Sequence, residues 1–316
     1  MLDLGHLPSN PKSVVQVFGP NTVTANTGWS QWTKPRGIAM VYFFAVGAGG
    51  GGGDAVAGAA STAAGGGGGG SGGQTTLLVP AMSLPDTLFL TVARGVPNNT
   101  STTAGAGVAT RVCIAPTAVA NDCLLIANSG ASGGKSAGST PGAVGTAGAI
   151  ANINTMPLAG MGTYSLLAGQ VGIIGSNTSG AALALPVTGL VVTGGTGGAG
   201  VPASNTAGNA GGLMTGVAGS YLASANIPGG TGGTTAPTAG GDGRGGMRPF
   251  KNLIYGLGGT GGGSCGLTAV PAGAAGGNGG RGAPGCGGGG GGGAFTASAF
   301  GIGGLGGDSF VIIACW

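Results

Sequence analysis

The stretch Trp29–Gly53, WSQWTKPRGIAMVYFFAVGAGGGGG, joins two kinds of sequence that seldom follow one another. Its middle, Ile38–Val46, is a continuous apolar run of strand length, bounded by glycine on both sides. The run passes directly into further glycine, which has no side chain with which to build a core. The stretch therefore predicts a strand of a buried β-sheet and a glycine-rich layer that begins where this strand ends.

The composition of the whole chain favours order over disorder. Glycine fills 81 and proline 17 of the 316 positions, together about 31%, a level that usually accompanies low complexity. Disordered segments, however, are poor in apolar residues and rich in charge. Here 41% of the residues are hydrophobic and only 5% are charged. We therefore expect an ordered chain in which glycine itself contributes to the packed interior.

Short apolar segments bounded by Gly, Pro, Asn or Ser predict an all-β fold of the sandwich type. The last of them, Ser309–Cys315 (SFVIIAC), lies far from the others in the sequence. Because a lone strand is not stable in water, it must return to the N-terminal sheet, and we predict a β-sandwich closed by the C-terminal strand. The other strand candidates are Ser13–Phe18, Ile38–Val46, Thr75–Val79, Leu88–Ala93, Val108–Ala115 and Cys123–Ala127.

Residues 128–307 are dominated by glycine and other small residues, with Gly-Gly-x repeats such as GIGGLGG at 301–307. A collagen helix needs glycine at every third position over long stretches, and the chain never sustains that. A polyglycine-II-like helix has three residues per turn and no internal hydrogen bonds, so its backbone groups must bond to neighbouring helices. We predict a layer of such helices, in which Ile302 and Leu305 share one edge and dock onto the sheet. Irregular glycine loops packed on the sandwich are the alternative.

Few residues of this chain are suited to catalysis or to metal binding. The one histidine is His6, the six aspartates are never closer than 32 positions apart, glutamate is absent, and the five cysteines include no Cys-x-x-Cys pair. We therefore predict that the protein is not an enzyme and has no metal or cofactor site. All five cysteines are expected to be small buried apolar residues. A disulfide between Cys113 and Cys123, in the two arms of a hairpin, is the alternative.

Charge and hydropathy argue against two further classes of protein. The ten basic residues are scattered, and their only cluster is Arg244, Arg248 and Lys251, which is less than a nucleic-acid-binding face requires. No apolar window approaches the roughly 18 residues that span a bilayer, and the N-terminus lacks the features of a signal peptide. We expect a protein that is made in a cytoplasm, binds no nucleic acid and is not membrane-embedded.

Several of these features occur together in one known family. The WTKPRG motif with its following strand, the VGAGGGGG run, the glycine repeats and the terminal GGDSFVIIACW resemble the glycine-rich domain of tailed-bacteriophage structural proteins, of the tail-fibre or adhesin type. The resemblance covers Trp29–Gly73 and Gly276–Trp316, whereas residues 128–270 match in composition only. It implies a virion protein built of stacked polyglycine helices with receptor-binding loops at its distal end.

The resemblance implies a role for each region of the chain. Residues 1–28, an N-terminal arm and first strand, would attach the protein to the virion. Residues 29–127 plus 308–316 would form the β-sandwich, and 128–307 the glycine-rich region with its loops. The expected protein is synthesised in the host cytoplasm and located in the virion. Its expected function is that of a tail fibre or receptor-binding adhesin, and a capsid decoration or head-fibre protein with a purely structural role is the alternative.

The expected partners follow from the same resemblance. They are other virion proteins and a host cell-surface glycan or outer-membrane protein, and a homotrimer is an expected assembly. Aromatic residues near the glycine-rich segments are candidate receptor contacts, because aromatic faces commonly hold such receptors, and the loop around Arg244–Tyr255 would face outward. Phe295 and Phe300 are expected to pack onto the sheet instead. The candidate receptor-binding residues are Tyr164, Tyr221, Arg248, Phe250, Lys251 and Tyr255.

Overall fold

The structure, a computed structural model, describes residues 13–21, 28–59, 61–117, 119–151, 160–187, 189–202, 206–218, 226–234, 238–246, 256–266, 274–295 and 298–316. These residues form an all-β fold with several antiparallel sheets, and the only helical turns among them are two of 3₁₀ type, Ala81–Ser83 and Ala120–Asp122. The strands are β1 Val14–Phe18, β2 Ser30–Thr33, β3 Met40–Val46, β4 Ala57–Gly58, β5 Gln74–Pro80, β6 Thr87–Thr91, β7 Thr110–Cys113, β8 Cys123–Ala127, β9 Thr163–Leu167, β10 Leu183–Ala184, β11 Met214–Thr215, β12 Asn226–Ile227, β13 Ala294–Phe295 and β14 Phe310–Cys315.

The largest sheet has five antiparallel strands in the order β1-β14-β3-β5-β9. The C-terminal strand β14 lies inside it, with Cys315 opposite Val14 on one side and Phe310 opposite Val46 on the other. All residues of β14 are buried, so the sheet needs the last residues of the chain to be continuous. The predicted return of the C-terminal strand to the N-terminal sheet is confirmed.

A second sheet, of four antiparallel strands in the order β2-β6-β7-β8, shares a core with the first. Trp32 of β2 is only 2% exposed and meets Phe43 of β3 edge to face, with 6.1 Å between the ring centroids. Burying one such large apolar side chain contributes about 1.5–3 kcal/mol, so this core holds the two sheets together. Its members include Trp32, Val41, Phe43, Leu77, Val79, Leu88, Leu90, Val112, Leu125, Val311 and Ile313.

The strand of the opening stretch is apolar throughout because both of its faces are covered. Phe43 points into the core between the two sheets. Phe44 and Val46 point the other way, into a second cluster that includes Val192 and Phe310. Phe44 stacks on Phe310 with 5.9 Å between the ring centroids. A strand with one wet face would alternate apolar and polar residues, and this strand has no wet face over its second half.

The cysteines depart from the sequence-based expectation at one pair. Cys113 at the end of β7 lies opposite Cys123 at the start of β8, and the two are joined by a disulfide. The expectation that all five cysteines are unbridged is therefore wrong for this pair, because the β7–β8 register brings the two sulfurs together. Cys265, Cys286 and Cys315 are buried thiols, and burial raises the pKa of Cys265 and of Cys315.

Between the strands, glycine-rich stretches lie side by side and bond through their backbones at intervals of three residues. Gly50 N and Gly53 N, for example, donate to Gly70 O and Gly67 O, each at 2.8 Å. We call these stretches the glycine segments and their assembly the glycine bundle. The glycine segments are 47–53, 65–73, 128–134, 142–150, 169–176, 193–201, 208–213, 228–234, 238–246, 256–266, 274–283, 286–293 and 301–307, and the stretch 95–99, with one glycine, bonds to 47–53 in the same three-residue pattern.

The segment 286–293 lies in the middle of the glycine bundle, and all of its residues are buried. The N–H groups of Gly287 and Gly290 donate to one neighbouring segment, while those of Gly288 and Gly291 donate to a second. The remaining backbone groups reach four more segments, so this central segment is enclosed. Its six hydrogen-bonded neighbours are 47–53, 65–73, 193–201, 256–266, 274–283 and 301–307.

The direction of β3 fixes the direction of the glycine bundle. β3 runs from Met40 to Val46 and continues as the segment 47–53, which returns as 65–73 into β5. The bundle thus extends from one side of the two sheets. We call its far tip, where 47–53 ends, the loop end. The end of the two sheets that is remote from the bundle, formed by the β2–β3 and β5–β6 connections, is called the sheet end.

Two side chains of the last glycine segment face water and not the sheet. Ile302 and Leu305 are 50% and 44% exposed. Their carbonyls accept from Gly279 N and Gly282 N, which belong to the same neighbouring segment, so the two residues do share one edge. Their expected docking onto the sheet is wrong, because 301–307 lies on the outside of the bundle.

Candidate functional site

At the loop end, turns from separate parts of the chain meet around Asp54. This carboxylate is buried, 5% exposed, and its Oδ1 accepts hydrogen bonds from Asn98 Nδ2 and Gly303 N, each at 2.9 Å. The backbone carbonyl of Asp54 accepts from Ser136 N at 3.0 Å. Asp54 therefore joins three further turns into one connected surface.

The turn that follows Asn98 supplies most of the polar groups at the loop end. Its residues Thr100–Thr103 are exposed, and the side chain of Asn99 anchors the turn by donating to Thr103 O and Gly133 O. The Ser101 carbonyl accepts from Lys135 N at 2.7 Å. The anchored turn presents hydroxyl groups to the solvent, and hydroxyls both donate and accept hydrogen bonds.

One cation and one aromatic ring lie beside this turn. Lys135 Nζ sits 5.1 Å from the centroid of the Phe300 ring, within the range of a cation–π contact. Phe295 belongs to a small apolar cluster with Val201 and Cys265 in the same part of the bundle. Neither phenylalanine packs onto the five-stranded or the four-stranded sheet as expected, because Phe295 packs in the small cluster with Val201 and Phe300 lies against Lys135 at the loop end.

Tyr164, the first candidate receptor contact, lies in β9 at the edge of the five-stranded sheet. Its side chain packs against the core between the sheets, and its hydroxyl donates to Leu124 O at 2.8 Å. Burial raises the pKa of Tyr164 to about 12. The hydroxyl of this tyrosine is therefore engaged inside the protein, and its ring is partly buried.

The other five candidate residues, Tyr221, Arg248, Phe250, Lys251 and Tyr255, lie outside the described residues. The described residues that flank the last four are Gly246 and Gly256. Gly256 N donates to Val191 O at 2.8 Å, and Val191 packs against the cluster that covers the outer face of β3. Gly256 thus adjoins the cluster beside β3.

A cavity of about 420 Å³ opens at the sheet end between the β2–β3 and β5–β6 connections. Lys34 lines this cavity, and its ammonium group donates to Ala81 O at 3.2 Å and to Leu84 O at 2.7 Å. The same group forms an ion pair with Asp86 Oδ1 at 3.2 Å. Arg36 and Met82 are among the residues that line the opening.

The described residues contain neither a metal-binding cluster nor a membrane-spanning helix. Within these ranges no three His, Cys, Asp or Glu side chains come close enough to hold a metal ion. In the same part of the chain, no helix is long and apolar enough to cross a lipid bilayer.

Comparison with known proteins adds no relative on which to base an assignment. No protein-family model matches the sequence, and no curated protein is significantly similar to it. The loop end and the sheet-end cavity are therefore interpreted from their own chemistry.

The residues of the loop end were not among the site residues predicted from the sequence. Asp54, Asn98, Lys135 and Phe300 are separated by dozens of positions and lie in four different parts of the chain. The one signal in the sequence was the run NNTSTT at 98–103, a cluster of turn-forming polar residues.

Proposed function

We propose that this chain is a bacteriophage virion protein, a tail fibre or receptor-binding adhesin that contacts the host surface. One observation carries the proposal: the backbone of 286–293 is bonded to six neighbouring glycine segments at three-residue intervals. A glycine bundle of this kind is what the sequence resemblance to tailed-phage glycine-rich domains implies. The bonding pattern adds the arrangement of these glycine runs in space to the resemblance, which concerns their sequence.

The glycine segments, in this proposal, are polyglycine-II-like helices that pack on a β-sandwich made of the two sheets. A helix of three residues per turn points its backbone groups in three directions, whereas a strand points them in two opposite directions. The N–H groups of three consecutive residues support the helix: Gly287 donates to Thr193 O, Gly288 to Gly50 O and Gly289 to Gly280 O. Backbone dihedrals from a crystal structure test this, because β or turn values at 287–293 would refute it.

The proposed adhesin function follows from the way such a bundle would support its loop end. Its bonds run from backbone to backbone, so the bundle holds the loop end at a fixed distance from the sheets. We propose that the loop end, with the turn 98–103, Lys135 and Phe300, contacts the host receptor. The sheet end would then face the particle, since β1 begins there opposite the last residues of β14.

Capsid decoration is the second candidate function, and the long sides of the bundle favour it. Val171 and Ile174 on one outer glycine segment, and Ile302 on another, are each 50% exposed. In this proposal, the exposed Val171 and Ile174, which share one outer segment, contact a neighbouring virion protein. In this reading the loop end has no receptor.

The two functions are separated by adsorption measurements on intact particles. One variant set is Lys135→Ala with Phe300→Ala at the loop end, and a second is Arg248→Ala, Phe250→Ala and Tyr255→Ala, the residues selected from the sequence. An adhesin should assemble normally and lose adsorption in at least one set. Normal adsorption in both sets would exclude the adhesin function, and fragile particles would then favour decoration. Labelling particles with an antibody against the purified chain shows directly whether it lies on the tail or on the head.

A further inference from the structure

We propose that the cavity at the sheet end is a docking site for an acidic peptide segment of a partner protein. The inference rests on the proposed function only for the partner's identity, which would be the virion protein that carries this chain. The site itself is defined by a preformed cavity of about 420 Å³, one available guanidinium group and one exposed methionine.

Arg36 is the cation that is available to a ligand. It is exposed on the cavity wall, and no ion pair links it to any other described residue. A guanidinium offers a planar fork of donors that matches a carboxylate with two parallel hydrogen bonds. Lys34 differs, because an ammonium has three donors and its contacts with Ala81 O, Leu84 O and Asp86 use them all.

Met82 supplies the apolar part of the site. It is 92% exposed on the cavity rim, and half-buried Pro35 and Ile38 continue the apolar wall. Exposed methionine is common at protein-binding surfaces, because its flexible thioether adapts to different side chains. The occupant therefore combines a carboxylate with a neighbouring apolar side chain.

The walls of the cavity are held in place before any partner binds. Lys34 N donates to Asp86 O and Ala81 N donates to Ala39 O, each at 2.8 Å. Together with the Lys34 ammonium contacts, these bonds fix the β2–β3 connection against the β5–β6 connection. A rigid site spends little binding free energy on ordering its own loops, which suits a permanent attachment.

A peptide fits this chemistry better than a sugar or a nucleic acid does. None of the described residues that line the cavity has an aromatic ring, so a sugar would find no ring face on which to stack. One available guanidinium is too little for a phosphate backbone, which several cations usually contact. Within the cavity lining, Asp86 is paired with Lys34, so Arg36 leaves one excess positive charge that an acidic segment complements.

The test uses a library of random short peptides displayed on beads and selected on the purified full chain. We expect enrichment of peptides in which Asp or Glu adjoins a large apolar residue. For the best peptide, replacing its acidic residue with the matching amide should weaken binding about ten- to a hundredfold, the loss expected for a hydrogen-bonded charge. Arg36→Glu should weaken binding to the same extent, and Met82→Ser should weaken it by a smaller factor.

Arg94→Glu is the matched control, since it makes the same charge change at an exposed arginine outside the cavity. Thermal unfolding of each variant confirms that it folds. The proposal is overturned if no acidic peptide is enriched, if the amide twin binds equally well, or if Arg94→Glu weakens binding as much as Arg36→Glu does. Competition by acetate alone, as strong as by the peptide, would also overturn it in favour of a small-anion site. None of these results depends on adsorption to the host, so the site and the adhesin function can fail separately.

Discussion

Replacing Gly290 with alanine tests whether the glycine bundle is closed around its central segment. An added Cβ would lie 2.0 Å from Gly66 O, 2.6 Å from Gly66 C and 2.9 Å from Gly198 N. Real Cβ atoms essentially never come closer than 3.0 Å to such neighbours. All three obstructing atoms belong to backbone, so no side chain can rotate away, and the segments must separate by roughly 1 Å.

The expected loss of stability follows from what that separation disturbs. Gly290 N donates to Thr196 O, and Gly290 O accepts from Gly262 N. A hydrogen bond contributes about 0.5–1.5 kcal/mol, and forcing an extra carbon into a close-packed interior typically costs about 1–3 kcal/mol. We therefore expect the free energy of unfolding to fall by about 3 kcal/mol or more. For a chain of this length, that loss lowers Tm by about 5 °C.

Gly245→Ala is the matched control within the same bundle. An added Cβ at Gly245 meets only Arg281 O, at 3.8 Å, which is an ordinary contact. With no clash, alanine restricts the unfolded chain more than glycine does and stabilises by about 0.4–1 kcal/mol. The same chemical change is therefore expected to have opposite signs at the two positions.

The assay is thermal unfolding of the purified variants, followed by circular dichroism and calorimetry. The reasoning would be refuted if Gly290→Ala melts at the wild-type temperature, or if Gly245→Ala is destabilised as much as Gly290→Ala. Either result would mean that the glycine segments do not enclose 286–293 in solution. A valine at Gly290 adds two further carbon atoms and should prevent folding.

Three other outcomes follow from the structure. Deleting 308–316 removes β14 from the middle of the five-stranded sheet, so the truncated chain should be insoluble, and a soluble product with wild-type melting would contradict the topology. Replacing Cys113 and Cys123 together with serine should cost about 2–3 kcal/mol in the free energy of unfolding, as expected for a loop of this length, and reductant should lower the Tm of the wild type but not that of the double variant. Burial raises the pKa of Tyr42 and of Tyr164 from 10.0 to about 12. Because the folded state favours the neutral hydroxyls, their contribution to the free energy of unfolding is present below pH 10 and is lost as the pH rises towards 12. Changing both tyrosines to phenylalanine should flatten this alkaline loss, and an unchanged pH profile would show that the two hydroxyls titrate normally.

The long apolar strands could be predicted from the sequence because their own residues define them. The candidates Ile38–Val46 and Ser309–Cys315 correspond to β3 and β14 within two residues at each end. The strand β2 was missed because only one of its four residues, Trp32, is buried. β9 was missed because its half-buried residues, TYSLL, resemble the other short apolar islands between glycines. Both strands are defined by their partners, β6 and β5, which sequence periodicity does not identify.

The candidate site was less predictable than the fold for a similar reason. Three-residue periodicity shows which residues share an edge, as for Ile302 and Leu305, but it does not show which edge faces water. The loop end depends on which turns the bundle places together, and Asp54, Asn98 and Gly303 meet only because three distant segments are neighbours. The sheet-end cavity likewise needs the β2–β3 and β5–β6 connections to face one another.

The continuation of β3 into the segment 47–53 joins two layers that are held together in different ways, the five-stranded sheet and the glycine bundle. The sheet is held by side chains such as Phe43, whereas the bundle is held by backbone bonds such as that from Gly50 N to Gly70 O. Substitutions in the sheet alter its packing, whereas the exposed side chains of Thr100–Thr103 can be replaced without removing a backbone-to-backbone bond of the bundle. The proposed receptor-binding function would gain from this separation, since the contact residues could vary while the support beneath them keeps its geometry. The composition of the chain is the consequence, because only glycine lets neighbouring backbones approach closely enough to form that support.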